Sequence, residues 1–185
     1  MLTSCSARRE LTGEYYRQNE EALSSIQARF KHIQRSTPFS MDIKDRDFSK
    51  IGIEIVTDTI RFIYQFDLQN HNLRDTLVKY KFNLPQMITL IDDMRTMHCT
   101  WITNLDYYEK RNEKFLVFLS LRHRRLGTNR KEKYFTLAFF DEPQPFDEKG
   151  RLIDYENKKQ PRQINDRIFY RINDKVFFTL SGDFR

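Results

Sequence analysis

Glycine and proline are scarce in this chain, at 5 each in 185 residues. That leaves little room for long irregular linkers and hardly any for glycine-built phosphate loops. Cysteine is scarcer still: Cys5 and Cys99 are the only two, too few for a scaffold of stapled loops. No run approaches the roughly 18 consecutive apolar residues that cross a bilayer as a helix. No nucleophile-elbow, Walker-loop or dinucleotide-binding glycine pattern occurs. His32, His71, His98 and His123 are scattered without metal-ligand spacing. Internal repeats and low-complexity tracts are missing too.

What is present describes a globular chain with a wetted exterior. Apolar residues make up 39% and charged residues 31%, and the 16 Phe and 9 Tyr are what a disordered composition lacks. The length suits one ordinary domain, which buries roughly 70% of its unfolded surface on folding. Net charge is +6, but 32 basic and 26 acidic residues are mixed along the chain, so the bias is moderate.

From Gly13 to Arg35, Tyr15, Tyr16, Ala22, Leu23, Ile26, Phe30 and Ile33 recur at helical spacing, which predicts one long amphipathic helix. Ser36-Thr37-Pro38 ends it. Between Phe48 and Phe66 the period becomes two, and Thr57-Asp58 marks a turn between two strands. Asn72 caps a short helix through Lys81, and Pro85 opens another with Met87, Leu90, Ile91 and Met94 on one side. Phe115 to Leu121 is apolar on both faces except at Ser120, as in a central strand, and Tyr134 to Phe140 is similar. Residues 141 to 165 read as an excursion with a short strand near Leu152. Arg167 to Ile172 and Lys175 to Leu180 flank an Asn173-Asp174 hairpin turn. The expected class is α+β: one curved antiparallel sheet packed on one face by a long N-terminal helix and two shorter ones.

Leu2-Thr3-Ser4-Cys5 carries a different kind of information. An aliphatic residue, two small residues and a cysteine resemble the lipobox of bacterial lipoproteins. In that family the thiol receives a diacylglycerol, a peptidase admitting only small side chains cuts just before it, and the new amino group is acylated. The resemblance implies that residues 1–4 are the remnant of a signal peptide, 5–12 a tether and 13–185 a single α+β domain. The charged and apolar regions that precede such a box are not in these residues. Cys5 would be the lipidation site, a membrane anchor to which each buried methylene adds about 0.8 kcal/mol. Ser6 after it resembles the outer-membrane sorting pattern, and the resemblance implies a domain on the outer membrane that faces the periplasm.

Candidates for chemistry are few. His98-Cys99 joins a base to a nucleophile, but adjacent side chains diverge on a helix or strand. Asp92-Asp93 would point about 100° apart on a helix, with no ligand motif beside them. The most distinctive feature is the basic segment Arg122 to Lys133, in which Arg122, Arg124, Arg125, Arg130, Lys131 and Lys133 face one glutamate at the tip of an expected hairpin. In an envelope protein it would meet lipid headgroups, lipopolysaccharide phosphates or an acidic protein partner. In a cytoplasmic protein it would grip nucleic-acid phosphates while Tyr134 or Phe135 stacks on bases. A solvated turn that protects sheet edges is the plain alternative.

The expectation is a lipid-anchored envelope protein with a non-catalytic binding or structural role, using no cofactor or metal. A cytoplasmic nucleic-acid-binding module is the alternative, and an enzyme with a cleft over the sheet the third.

Overall fold

The computed structural model describes residues 12–43, 45–109, 112–122, 134–154 and 160–181. Cys5, Arg124, Arg125, Arg130, Lys131 and Lys133 lie outside these residues. The expected N-terminal helix is two helices, α1 over residues 12–18 and α2 over Glu20–Gln34. Asn19 divides them. Its backbone leaves the helical region at φ −124° and ψ 18°, and its Nδ2 donates to the Tyr15 carbonyl at 2.8 Å. A short amide side chain that bonds to its own backbone competes with the helical ladder. The apolar stripe survives the break, since Tyr16, Leu23, Ile26, Phe30 and Ile33 are all buried.

After Pro38 come β1 (Phe39–Ile43), β2 (Lys50–Val56) and β3 (Arg61–Asp67), then α3 (His71–Lys79) and α4 (Leu84–Thr96). Each helix starts at an asparagine: Asn70 Oδ1 accepts from the Asn72 N–H, and Asn83 Oδ1 from the Gln86 N–H. The cap of α3 is thus Asn70 rather than Asn72, and Pro85 sits in the first turn of α4. The strands β4 (Cys99–Glu109), β5 (Asn112–Arg122) and β6 (Tyr134–Phe140) follow, then the short β7 (Gln163–Ile164), β8 (Arg167–Ile168) and β9 (Tyr170–Arg171), and last β10 (Val176–Ser181).

Eight strands join one open sheet in the order β3-β2-β1-β4-β5-β6-β10-β9, and every pairing is antiparallel. The class is α+β, with β5 central as its two apolar faces require. The expected C-terminal hairpin is split. β9 pairs with β10 across a turn where Asn173 Oδ1 accepts from the Lys175 and Val176 N–H groups, whereas β8 folds back on β7 through Asn165 and Asp166 at φ 50° and 58°.

Alternation sorts the side chains onto two faces. On the inner face, Met41, Ile53, Leu119, Leu137 and Phe178 pack with α2, α3 and α4 in the main core. On the outer face of β5, β6 and β10, Phe118, Phe140 and Phe177 form a second core with Leu152 and Ile164 from the excursion after β6 and with Phe169 between β8 and β9. Burying each such side chain contributes about 1.5–3 kcal/mol, which holds that excursion in place. The outer face of β1, β2 and β3 has no such apolar set among the described residues, so it is here that a groove lies open.

Candidate functional site

The groove has a volume of about 620 Å³. Its floor follows from the pleat: with Phe39, Met41 and Ile43 turned to the helices, Ser40 and Asp42 must face outward, and Glu54 lies opposite Ser40 in register. Trp101 and Thr103 come from β4, Ile63 and Arg61 from β3. Trp101 faces the groove because of a β-bulge. The β4–β5 register slips between Cys99 and Trp101, so Cys99 points into the main core while Trp101 points outward, its ring stacked 6.3 Å from Phe118 at 8°.

One end of the groove is tied by Gln34, the last residue of α2. Its Oε1 accepts from the Phe39 N–H at 2.9 Å, and its Nε2 donates to Asn104 Oδ1 at 2.5 Å. Three acidic residues line the groove, Asp42 and Glu54 on the outer face and Asp106 at the end beside Asn104, against the single guanidinium of Arg61. Arg61 Nη1 lies 2.9 Å from Glu54 Oε1, so that cation is already engaged. Asp42 is only 5% exposed, which makes it the deepest acidic residue in the groove. The arrangement is acidic and walled by an indole, a combination that favours organic cations through charge and cation–π attraction.

The strands that flank the basic segment, β5 and β6, stand away from the groove. β5 and β6 pair in register out to Arg122 opposite Tyr134, so residues 123–133 do connect two paired strands. Arg122 is the one predicted site residue within the described structure, and it is partly buried beside two aromatic rings. Its guanidinium lies 5.5 Å from the Phe48 ring centroid and 5.7 Å from that of Tyr134, and Nη2 donates to the Tyr134 hydroxyl at 3.5 Å. Tyr134 is buried, and Phe135 sits in the main core against Tyr15. Neither ring is available to stack on a base, which corrects the aromatic half of the nucleic-acid expectation. Arg124, Arg125, Arg130, Lys131 and Lys133 lie outside the described residues.

His98 and Cys99 have different surroundings. The Cys99 thiol is fully buried and donates to the Trp101 carbonyl at 3.4 Å; burial pushes its pKa up to about 12. His98 turns away at φ 52°, its ring 5.3 Å from Phe48. Asp92 and Asp93 each face an arginine, Arg95 at 3.4 Å and Arg29 at 3.5 Å. Among the described residues, no three His, Cys, Asp or Glu side chains converge to hold a metal ion, and no helix is long and apolar enough to cross a membrane.

Sequence reasoning missed the groove residues because they come from four strands and share no spacing. The one available signal was the tryptophan, the only one in the chain. Compared with known proteins, the chain matches no protein-family model, no curated protein and no solved structure.

Proposed function

We propose that the chain is a non-catalytic binding domain of the cell envelope, held on the outer membrane by acyl chains on Cys5 and facing the periplasm. In this reading the groove is the binding site and its ligand is an organic cation. The observation that carries it is the lining: an indole and three carboxylates around about 620 Å³, within the size range of small-molecule sites, with the one guanidinium engaged by Glu54. The basic hairpin then serves as a second contact, toward an anionic envelope surface or an acidic partner.

Trp101, as the sole tryptophan, reports on the groove directly. Titration with a linear polyamine or a short lysine peptide should change its fluorescence saturably, and the response should weaken with salt and with the pair Glu54→Gln and Asp106→Asn. No saturable change at low salt with either probe ends the groove reading. The anchor is tested separately, in cells expressing the gene with its upstream codons. Labelled palmitate should enter the protein and be lost on Cys5→Ser; an unlabelled native chain ends that part alone.

A further inference from the structure

A sheet that does not close has two edges, and here they differ. At one end β9 is two residues long, too short to template anything. At the other, β3 offers seven residues, and among the described residues no strand pairs with its outer side. Natural edges are blunted by proline, lysine, bulges or brevity. β3 reads Arg-Phe-Ile-Tyr-Gln-Phe-Asp, with neither proline nor lysine, and its register with β2 runs unbroken from Asp67 opposite Lys50 to Arg61 opposite Val56. In its middle, Ile63 is 72% exposed.

The backbone groups facing outward can be assigned. The Leu68 N–H donates to the Ser49 carbonyl, on the β2 side, while the Val56 N–H turns the other way, to Pro38. Since donors alternate along an antiparallel strand, Phe62, Tyr64 and Phe66 direct their amides at β2. Arg61, Ile63, Gln65 and Asp67 therefore aim theirs outward.

The strand is also complementary to itself. Turned about a two-fold axis through Tyr64, it places Arg61 opposite Asp67 of a second copy, Phe62 opposite Phe66, Ile63 opposite Gln65, and Tyr64 opposite Tyr64. Both ends then pair opposite charges. The residues with outward amides fall into the hydrogen-bonded positions, and the aromatics into the closer non-hydrogen-bonded ones. Those rings are already stacked along the strand, with Phe62–Tyr64 centroids 6.3 Å apart and Tyr64–Phe66 5.8 Å, at 18° and 16°. The row is held from behind by the Tyr64 hydroxyl, 2.7 Å from that of Tyr80. Sliding the register by two residues separates both charge pairs, and sliding it by one reverses the faces.

We propose that two copies of this chain associate through antiparallel pairing of β3 with β3, centred on Tyr64, to make one continuous sheet. The two-fold axis is perpendicular to the sheet, so the two grooves open on the same side and lie next to each other across the seam.

Sedimentation velocity of the 185-residue chain tests this. A species of twice 22.6 kDa should form with rising concentration and be lost in Ile63→Lys, a change at an exposed position that leaves the monomer's core untouched. Arg61→Asp and Asp67→Arg should each weaken association by about tenfold to thirtyfold, because each dimer carries the pair twice. The double variant Arg61→Asp, Asp67→Arg should recover most of it. That recovery reads the contact between copies alone, since the Arg61–Glu54 pair within the chain is not restored. A chain of 22.6 kDa at every concentration overturns the proposal, as does a dimer indifferent to Ile63→Lys or to the single charge reversals. Circular dichroism showing native variants excludes unfolding as the cause of a loss.

Discussion

The outer face of the sheet is built in two ways. Over β5, β6 and β10 it is apolar and roofed by residues that follow β6, with Phe177 fully buried and Phe169, Leu152 and Ile164 closing over it. Over β1, β2 and β3 the same pleat carries Ser40, Asp42, Gly52 and Glu54, and Ile63 stands in solvent. The inner face makes no such distinction, since one core runs beneath both halves. A strand's inner residues thus secure the fold, while its outer residues decide whether the surface above is filled or left for a ligand.

The contrast can be broken from the roofed side first. Phe177→Ala should cost about 3–5 kcal/mol in urea unfolding, because it empties the centre of the second core. A loss below 1 kcal/mol would mean that the roof does not pack. The roof also has an acid-sensitive corner. Asp147 accepts from the Lys149 and Arg151 N–H groups at 2.9 and 2.8 Å, and its Oδ2 meets the Arg151 Nε at 2.7 Å. Burial alone pushes this carboxyl up, but those donors and the Arg151 charge together hold its pKa below the usual carboxylate value. A lowered pKa contributes stability that is complete well above the unfolded value of 3.8 and is lost as pH falls through the folded one. Asp147→Asn should therefore lose about 1.5 kcal/mol at neutral pH and flatten the acid limb of the stability profile. An unchanged acid limb would remove Asp147 from the account.

At the border of the two halves, between Trp101 and Thr136 in register, the Ser120 hydroxyl is buried without a hydrogen-bond partner among the described residues. Ser120→Ala should raise stability by about 1 kcal/mol, and a loss of that size would mean that the hydroxyl is satisfied. On the bare side, Ile63→Ala should stay within about 0.5 kcal/mol of the parent when melted at high dilution. A larger cost there would show that Ile63 is covered within its own chain.

These halves were unequally legible in the sequence. Helical spacing exposed the stripe of Leu23, Ile26, Phe30 and Ile33, yet Asn19 could interrupt the helix without disturbing that period. Strict alternation revealed β2 and β3. β4 escaped because the bulge before Trp101 shifts its phase, so Cys99 and Ile102 share a face although their spacing is odd. β1 is five residues long and directly follows Pro38, and its Phe39, Met41, Ile43 alternation was too short to stand out. The groove depended on both strands that were missed. A local pattern shows that a residue faces outward; it does not show which outward residues from distant strands become neighbours.

One feature of the sheet also governs how the chain assembles in time. β1 is joined to β2 by five registered pairs, from Phe39–Ile55 to Ile43–Ile51, but to β4 only by Met41–Ile102 and Asp42–Trp101. The meanders β1–β2–β3 and β4–β5–β6 can each form from strands adjacent in sequence. The seam between them must wait until α3 and α4 are placed, and such late, non-local closure is what slows folding. The single tryptophan stands on that seam. Stopped-flow fluorescence of the refolding chain should therefore show a phase for the joining of the two meanders, later than the one in which Trp101 stacks on Phe118 within β4–β5.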